Sequence, residues 1–387
     1  MKNLANAILM EVLLVKVSKG ANYMPRLFTT IFALFCGTIV TVHTSCLIKQ
    51  DARIKSLSSN NPSAIARAFD QLINDKDLQL TELFSLEAGY FCQHGMELIA
   101  QKPPSILEDL KINLLNSNDN NQKLKIIASF GVLSSIDEES INLIINEYWN
   151  GDLMIRRVVC KVIESINQYN DAYDSIILDA LNSEDYRLVQ SAAFTIAEIE
   201  EFDSEEIELK LIEVWNDNKF LAVKLPVAAA LFNIGWEQDL MQNFILENTI
   251  KEEAFVPTGI KAISKLDGIN QEQIYRNIIL SNEYNSSIRK AAISRLIEYE
   301  PVDSMVNILI DCLEDDDWQI VTAAISELSF LGPKSLNAVS SLENLLDTSV
   351  HNITPGITDL AEDALFYIKS ERSYYFRYWA SYYELFI

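Results

Sequence analysis

Histidine and glycine are scarce in this chain, with three histidines and 11 glycines among 387 residues. His43, His94 and His351 are scattered and none is followed by glutamate, which argues against a histidine-based metal site. The glycines form no phosphate-binding loop and no GxSxG nucleophile elbow. The five cysteines contain no CxxC pair. We therefore expect a protein that is not an enzyme and that uses neither a metal nor a cofactor.

Basic residues are also in short supply. Lysine and arginine total 31 against 55 aspartates and glutamates, which gives a formal net charge of -24. Such a chain repels phosphate backbones, so we expect no nucleic-acid partner. A basic protein partner would gain association rate from this charge. The alternative is that the charge serves solubility alone.

Strand signals are missing, and helices account for the pattern after residue 61. No segment shows sustained alternation of apolar and polar residues between turn dipeptides. Amphipathic segments are instead separated by short clusters of Asn, Asp, Ser and Gly. Acidic runs such as Asp137–Glu139 and Asp315–Asp317 are expected to cap helices. The predicted fold class is all-α.

A small or β-branched residue recurs in the middle of one helix after another, often with an aliphatic residue four positions before it. We call this position the slot. Successive slots lie 30 to 40 residues apart, as expected for two short helices and two turns. A small side chain lets a neighbouring helix approach closely, so each pair would stack on the next. The slots fall at Ala128, Val159, Ala193, Ala229, Ala262, Ala292, Ala324 and Ala364.

The segment NSSIRKAA at 285–292 resembles the turn and alanine-rich helix of HEAT repeats, with Arg289 in the arginine position of that family. Arg156 occupies the same position in another repeat, whereas Gln190, Pro226 and Val321 depart from it. The resemblance implies a right-handed α-solenoid of about eight HEAT-like helix pairs with an N-terminal helical cap. The class includes scaffolds, immunity proteins and enzyme subunits.

Residues 27–48 form the longest uncharged run and are long enough to span a bilayer. Read from Met24, the sequence resembles a bacterial lipoprotein signal that ends at Cys46, the candidate lipidation site. Three interpretations remain open: a lipoprotein signal, a membrane anchor and a buried helix. We predict a signal or anchor at 24–46 within an extension at 1–50. The protein would then be membrane-associated or exported, and otherwise cytoplasmic.

The remainder divides by composition. We predict a polar linker at 51–61, a helical cap at 62–104 and HEAT-like repeats at 105–370. The tail at 371–387 contains eight aromatic residues among its last fifteen and is expected to cap the final repeat. An alternative function for this tail is a binding patch for a partner or a membrane surface.

The leading functional hypothesis is a non-enzymatic scaffold that binds a protein partner, expected to be basic, through an acidic concave surface. Alternatives are an immunity or antagonist protein against a basic toxin, and an accessory subunit or HEAT-like lyase-type enzyme. Trp149 and Trp215 are expected to pack between repeats. The candidate partner-binding residues are Glu164, Glu198, Glu327 and Trp318.

Overall fold

A computed structural model of the chain separates into two compact units, Met1–Ala52 and Arg53–Ile387. The structure describes residues 51–59, 61–87, 91–102, 105–133, 136–199, 202–266, 269–296, 302–346 and 355–370, nearly all of which belong to the second unit. The predicted signal or anchor, Cys46 and the aromatic tail at 371–387 lie outside the described residues.

Short helices open the described part of the chain. They are α1 (Ala52–Ser56), α2 (Pro62–Ile73), α3 (Leu80–Leu83) and α4 (Met96–Ala100), with a π-helical turn at Phe91–Gly95 before α4. Helix α1 lies within the predicted linker at 51–61. It forms because Ile54 and Leu57 are apolar and fully buried, so this segment belongs to the folded core.

Longer helices then follow in pairs, each with an odd-numbered and an even-numbered member. The odd-numbered helices are α5 (Ile106–Asn116), α7 (Glu138–Asn150), α9 (Asp174–Leu181), α11 (Glu205–Asp217), α13 (Gln238–Asn248), α15 (Gln271–Ile279), α17 (Val302–Cys312) and α19 (Val339–Leu346). The even-numbered helices are α6 (Asn120–Phe130), α8 (Leu153–Ile166), α10 (Tyr186–Glu198), α12 (Leu221–Asn233), α14 (Val256–Ile263), α16 (Ser286–Leu296), α18 (Trp318–Leu331) and α20 (Pro355–Lys369).

Helical turns of 3₁₀ type occupy Asp171–Tyr173, Glu253–Phe255 and Gly332–Ala338. Within the described ranges no β-strand forms, and Gln168 takes only an isolated bridge conformation. The all-α prediction is therefore confirmed.

Aspartate caps set the starts of several even-numbered helices. The side chain of Asp152 accepts a hydrogen bond from the backbone N–H of Ile155, and Asp185 accepts from Leu188. Asp317 likewise accepts from Gln319. Each carboxylate satisfies a backbone donor that has no partner inside the helix. These acidic residues therefore have a structural role at the turns that precede α8, α10 and α18.

The even-numbered helices pack in series, each contacting the next from α6 to α20. Each also contacts the odd-numbered helix that precedes it. The series runs in parallel register, because residues near the starts of neighbouring helices meet, as do residues near their ends. Between α16 and α18, Lys290 contacts Gln319 and Ser294 contacts Glu327.

All eight slot residues lie in even-numbered helices and are fully buried, with 0 % exposure. The small side chains allow the serial contacts between these helices, because a larger side chain would hold the neighbouring backbone away. The slots predicted from the sequence are therefore buried positions of the helices that pack in series.

Ala292→Leu should destabilise the protein by about 1–3 kcal/mol or more, because the slot has no room for three additional carbon atoms. Ala291→Leu is the matched control, since Ala291 is the adjacent residue of the same helix and is only half-buried. Urea unfolding of the three chains measures the difference. Equal stability of the two variants would contradict the packing role of the slot.

The N-terminal helices are tied to α6 by a buried lysine. Lys125 donates from Nζ to the carbonyl oxygen of Phe84 at 2.8 Å and to that of Leu86. These carbonyls lie just after α3, where backbone acceptors have no partner inside the helix. The charge of Lys125 thus caps α3 and joins the predicted N-terminal cap to the first slot helix.

Acidification should weaken the fold through His94, which is 2 % exposed and whose pKa burial lowers to about 4. The unfolded imidazole takes up a proton below pH 6.5, whereas the folded one remains neutral until about pH 4. The contribution of neutral His94 to stability is therefore fully present above pH 6.5 and is lost as the pH falls toward 4. Between pH 7 and 4.5 the loss should be about 2–3 kcal/mol.

Urea unfolding of the wild type and of His94→Gln at both pH values measures this contribution. The carboxylates titrate in both proteins, so the difference between the two pH-dependent losses isolates His94. We expect the variant to lose less stability on acidification. A loss of the same size in both proteins would show that His94 is not the group responsible.

Candidate functional site

Two features of the described residues stand out. One is a group of ion-paired side chains on α8, α10, α14 and the turn after α14, and the other is a row of exposed apolar residues at the turns. The first, which we call the ion-pair cluster, contains Lys161, Glu164, Glu198, Lys261 and Lys265. Glu164 accepts from Lys161 at 2.8 Å and pairs with Lys261 at 2.9 Å. Lys265 pairs with Glu198.

The ion-pair cluster connects helices that are not neighbours in the series. Gln190 of α10 donates to Thr258 of α14 at 2.8 Å. One turn further along, Lys261 lies 4.1 Å from the ring centroid of Phe194. The pair of Lys265 and Glu198 completes the row. Side chains of α10 and α14 thus meet in parallel register although α12 contacts both helices.

The burial of α12 explains why side chains of α10 and α14 meet. Its residues from Leu225 to Phe232 are all buried, and Ala222 and Val223 are buried as well. A helix that is apolar on every side is stable only when it is covered on every side. Lys224 is the exception, and its ammonium group lies 3.9 Å from the ring centroid of Trp215. The polar side chains of α10 and α14 therefore complete the cover over α12.

The electrostatics of the ion-pair cluster follow from burial and from its three lysines. Burial alone would raise the pKa of Glu164, but Lys161, Lys261 and Lys265 together hold it below its usual range. Burial lowers the pKa of Lys261 to about 7 despite the carboxylate of Glu164, and Lys161 and Arg295 add to the effect. Removal of the charged Lys261 ammonium group from water therefore costs considerable free energy in the folded protein.

Two of the predicted partner-binding residues belong to this cluster. The Glu164 side chain is 7 % exposed and that of Glu198 is 30 % exposed. Both carboxylates are neutralised by lysines of α14, or of the turn that follows it. The structure thus gives them an intramolecular role. No role for Lys261 and Lys265 was predicted from the sequence, because lysines at such positions are typical of any solvent-exposed helix face.

The second feature lies where odd-numbered helices turn into even-numbered ones. Because the even-numbered helices are parallel and adjacent, these turns form a row that we call the hairpin edge. Each of seven consecutive turns has at least one exposed large apolar residue in it or within three residues of it. They are Leu115, Trp149, Leu153, Tyr186, Phe220, Ile250, Leu280 and Trp318.

The same seven turns also carry exposed carboxylates. These are Asp119, Asp152, Glu184, Asp217, Glu252, Glu283, Glu314 and Asp316. Exposed basic residues at the described turns are Arg187, Lys219 and Lys251. The hairpin edge therefore combines apolar side chains with an excess of negative charge.

Aromatic side chains stack along the middle of the hairpin edge. The rings of Tyr186 and Phe220 meet edge to face at 5.2 Å between centroids, and those of Phe220 and Phe255 at 4.9 Å. These residues stand at the starts of α10, α12 and α14. Each contact stabilises the row, while the outer faces of Tyr186 and Phe220 remain exposed.

Of the other two predicted partner-binding residues, Trp318 lies on the hairpin edge and is 59 % exposed. Glu327 lies near the end of α18, where Ser294 donates to it at 3.3 Å. Trp215 is buried, in agreement with its predicted packing role. Trp149 is exposed instead, because it ends α7 at the turn and not between helices.

Two concave regions in the part of the chain that the structure describes lie apart from these features. A cleft of ≈ 150 Å³ lies between Leu133, Ile141, Tyr169 and Tyr173. Ligand pockets are usually about 300–1,000 Å³. A shallower, open depression of ≈ 500 Å³ adjoins Gly235–Leu240. Neither brings together the ion-pair cluster or the apolar residues of the hairpin edge.

Clustered metal ligands and membrane-spanning helices are not found among the described residues either. No three His, Cys, Asp or Glu side chains there come together to hold a metal ion. No described helix has the length and apolar character to cross a bilayer.

Comparison with known proteins gives no family. No family model matches the chain, and no curated protein matches it. Two solved structures that resemble it are both engineered proteins from the Northeast Structural Genomics Consortium. One is 14% identical with a TM-score of 0.30, covering 83% of this chain and 98% of its own. The other is 15% identical with a TM-score of 0.16, covering 84% and 98%. Neither likeness is close enough to support an inference.

Proposed function

We propose that this protein is a scaffold that binds a basic protein partner along its hairpin edge. The observation that supports the proposal is the concentration of exposed large apolar residues at seven consecutive turns that also carry exposed carboxylates. A few residues, most often Trp, Tyr and Arg, supply most of the binding energy at protein interfaces, and the hairpin edge exposes Trp149, Tyr186 and Trp318. The surrounding negative charge favours a partner with lysines and arginines.

The underlying architecture in this proposal is a right-handed, HEAT-like α-solenoid of about eight helix pairs. Its support is the series of parallel even-numbered helices and the buried slot in each. Arg289 adds to the resemblance, because it pairs with Asp315 and donates from Nε to the carbonyl oxygen of Ile279 at 2.6 Å. Arg156 similarly pairs with Asp179 at 3.3 Å.

The hairpin edge is a better binding surface than the ion-pair cluster. Glu164 and Glu198 already have lysine partners, and a ligand would have to displace them at the cost of buried charge. The carboxylates of the turns are exposed and would pair with a partner at little cost in dehydration. We therefore place the partner at Trp318 and its neighbours along the hairpin edge.

Affinity capture from the native host with the full chain as bait tests this function. The edge variant carries Leu280→Ser and Trp318→Ser, which remove two exposed apolar side chains. The matched control carries Leu209→Ser and Leu240→Ser, whose side chains are similarly exposed but lie away from these turns.

We expect a basic protein to be recovered by the wild type and the control but not by the edge variant. Its retention should fall as salt rises, because screening weakens attraction between exposed charges. Recovery of the same proteins by all three baits would contradict a binding role for the hairpin edge.

A further inference from the structure

The repetition along the hairpin edge carries information about the shape of the partner. Each of the seven turns of the hairpin edge offers the same pair of features, an exposed apolar side chain and an exposed carboxylate. Examples are Leu153 beside Asp152 and Trp318 beside Asp316. A surface for a single globular partner has no need to repeat itself, because its contacts differ from place to place.

The length of the row exceeds what a globular partner of ordinary size covers. Packed helices have axes about 8–10 Å apart, so seven turns separated by six steps extend over roughly 50–60 Å. An interface of standard size buries about 800 Å² on each partner, a patch about 30 Å across. Such a partner would leave about half of the equivalent turns unused.

From this repetition we infer that the partner is an extended basic segment that lies along the hairpin edge, with an apolar residue at about every third position and lysine or arginine between. This inference rests on the proposed function. One step of about 8–10 Å corresponds to about three residues of extended chain at roughly 3.1–3.3 Å per residue. Each triplet would then place one apolar side chain and one cation at each turn.

An α-helical segment fits the spacing less well. Residues of an α-helix share a face at three or four positions, about 5 Å apart, and again at seven positions, about 10.5 Å at a rise of roughly 1.5 Å per residue. That exceeds the expected step, and the mismatch accumulates over six steps. An extended chain of polyproline II type has three residues per turn, so every third side chain returns to the same side. Its apolar residues can then face the turns, while the cations between them contact the carboxylates.

Synthetic peptides test the spacing directly. The probe is a 21-residue fluorescent peptide of seven Leu-Lys-Pro triplets, whose prolines favour an extended chain of three residues per turn. Its first control has the same composition in shuffled order, and its second has serine in place of leucine. A third has leucine at every seventh position in a helix-forming background. Fluorescence anisotropy with the full chain measures the dissociation constants near physiological salt.

We expect the triplet peptide to bind at least about tenfold more tightly than each control. The triplet peptide should bind about tenfold more weakly to the protein variant that carries both Leu280→Ser and Trp318→Ser. Its affinity for the variant with Leu209→Ser and Leu240→Ser should equal that for the wild type. Equal binding of the shuffled peptide would show attraction by charge alone and would overturn the inference. Tighter binding of the heptad peptide would overturn it in favour of a helical occupant.

The capture experiment separates this inference from the proposed function. If a folded basic protein depends on Leu280 and Trp318 while the triplet peptide does not, the inference fails and the scaffold function stands. If neither ligand depends on these residues, both fail. The spacing is supported only if the triplet peptide shows both the preference over its controls and the dependence on the hairpin edge.

Discussion

Replacing Glu164 by glutamine should cost about 3–5 kcal/mol of the free energy of unfolding. Its side chain is 7 % exposed and pairs with Lys161 and Lys261. Glutamine keeps the shape but removes the carboxylate from beside the two ammonium groups, in a place that water barely reaches. Urea unfolding measures the change.

The exposed pair of Glu343 and Lys369 gives the matched control. Both side chains are about half exposed, with exposures of 52% and 51%. Glu343→Gln should therefore change stability by less than about 1 kcal/mol. An equally small effect of Glu164→Gln would show that water screens the ion-pair cluster in solution.

The opposite partner should behave differently. Lys261→Met removes a cation whose pKa burial already lowers to about 7, and the methionine chain can still pack against Phe194. We expect a smaller loss than for Glu164→Gln, and a partial recovery when both substitutions are combined. This asymmetry would show that the carboxylate, and not the lysine, holds the cluster together.

Replacing Arg289 by methionine should also be severe, with an expected loss of about 3–5 kcal/mol. Arg289 is 4 % exposed, pairs with Asp315 and caps α15 at the carbonyl oxygen of Ile279. Methionine would leave that carboxylate and that carbonyl without their shared donor. This one side chain therefore joins α15, α16 and the turn before α18.

Arg276→Met is the control for Arg289. Arg276 pairs with Asp311 at 3.6 Å, and its side chain is 40% exposed. Its loss should change the free energy of unfolding by less than about 1 kcal/mol. A similar effect of the two substitutions would mean that the guanidinium group of Arg289 has no special structural role.

Much of the fold was predictable because local chemistry repeats. A small residue such as Ala193 or Ala324, set among apolar residues at helical spacing, marks a close helix contact wherever it occurs. Asp152 and Asp317 mark helix starts for an equally local reason. These signals depend only on the residues of one helix and the turn beside it. They can therefore be recognised without knowledge of the rest of the chain.

The ion-pair cluster could not be predicted in this way. Glu164 and Lys261 lie far apart in sequence, and each occupies a polar position of its own helix. One signal was nevertheless present in α12, where Leu225–Phe232 has no polar residue. A helix without a polar face requires cover from both neighbours, which would have indicated that α10 and α14 approach one another.

The hairpin edge had a weaker signal. Leu153, Tyr186 and Trp318 are apolar residues at the first position of a helix, directly after an aspartate cap. That position faces solvent in most helices, so an apolar residue there is informative when it recurs. Single apolar residues at a surface are common, and only their alignment by the fold reveals a continuous surface.

The ion-pair cluster also has a consequence for how the chain unfolds. In a linear array with contacts only between adjacent units, each unit can open almost independently, beginning at the ends. Lys261 of α14 reaches Glu164 of α8 and thereby joins units that are not adjacent. The segment from α8 to α14 should behave as one cooperative foldon, and its amide hydrogens should exchange together and more slowly than those of α18 and α20.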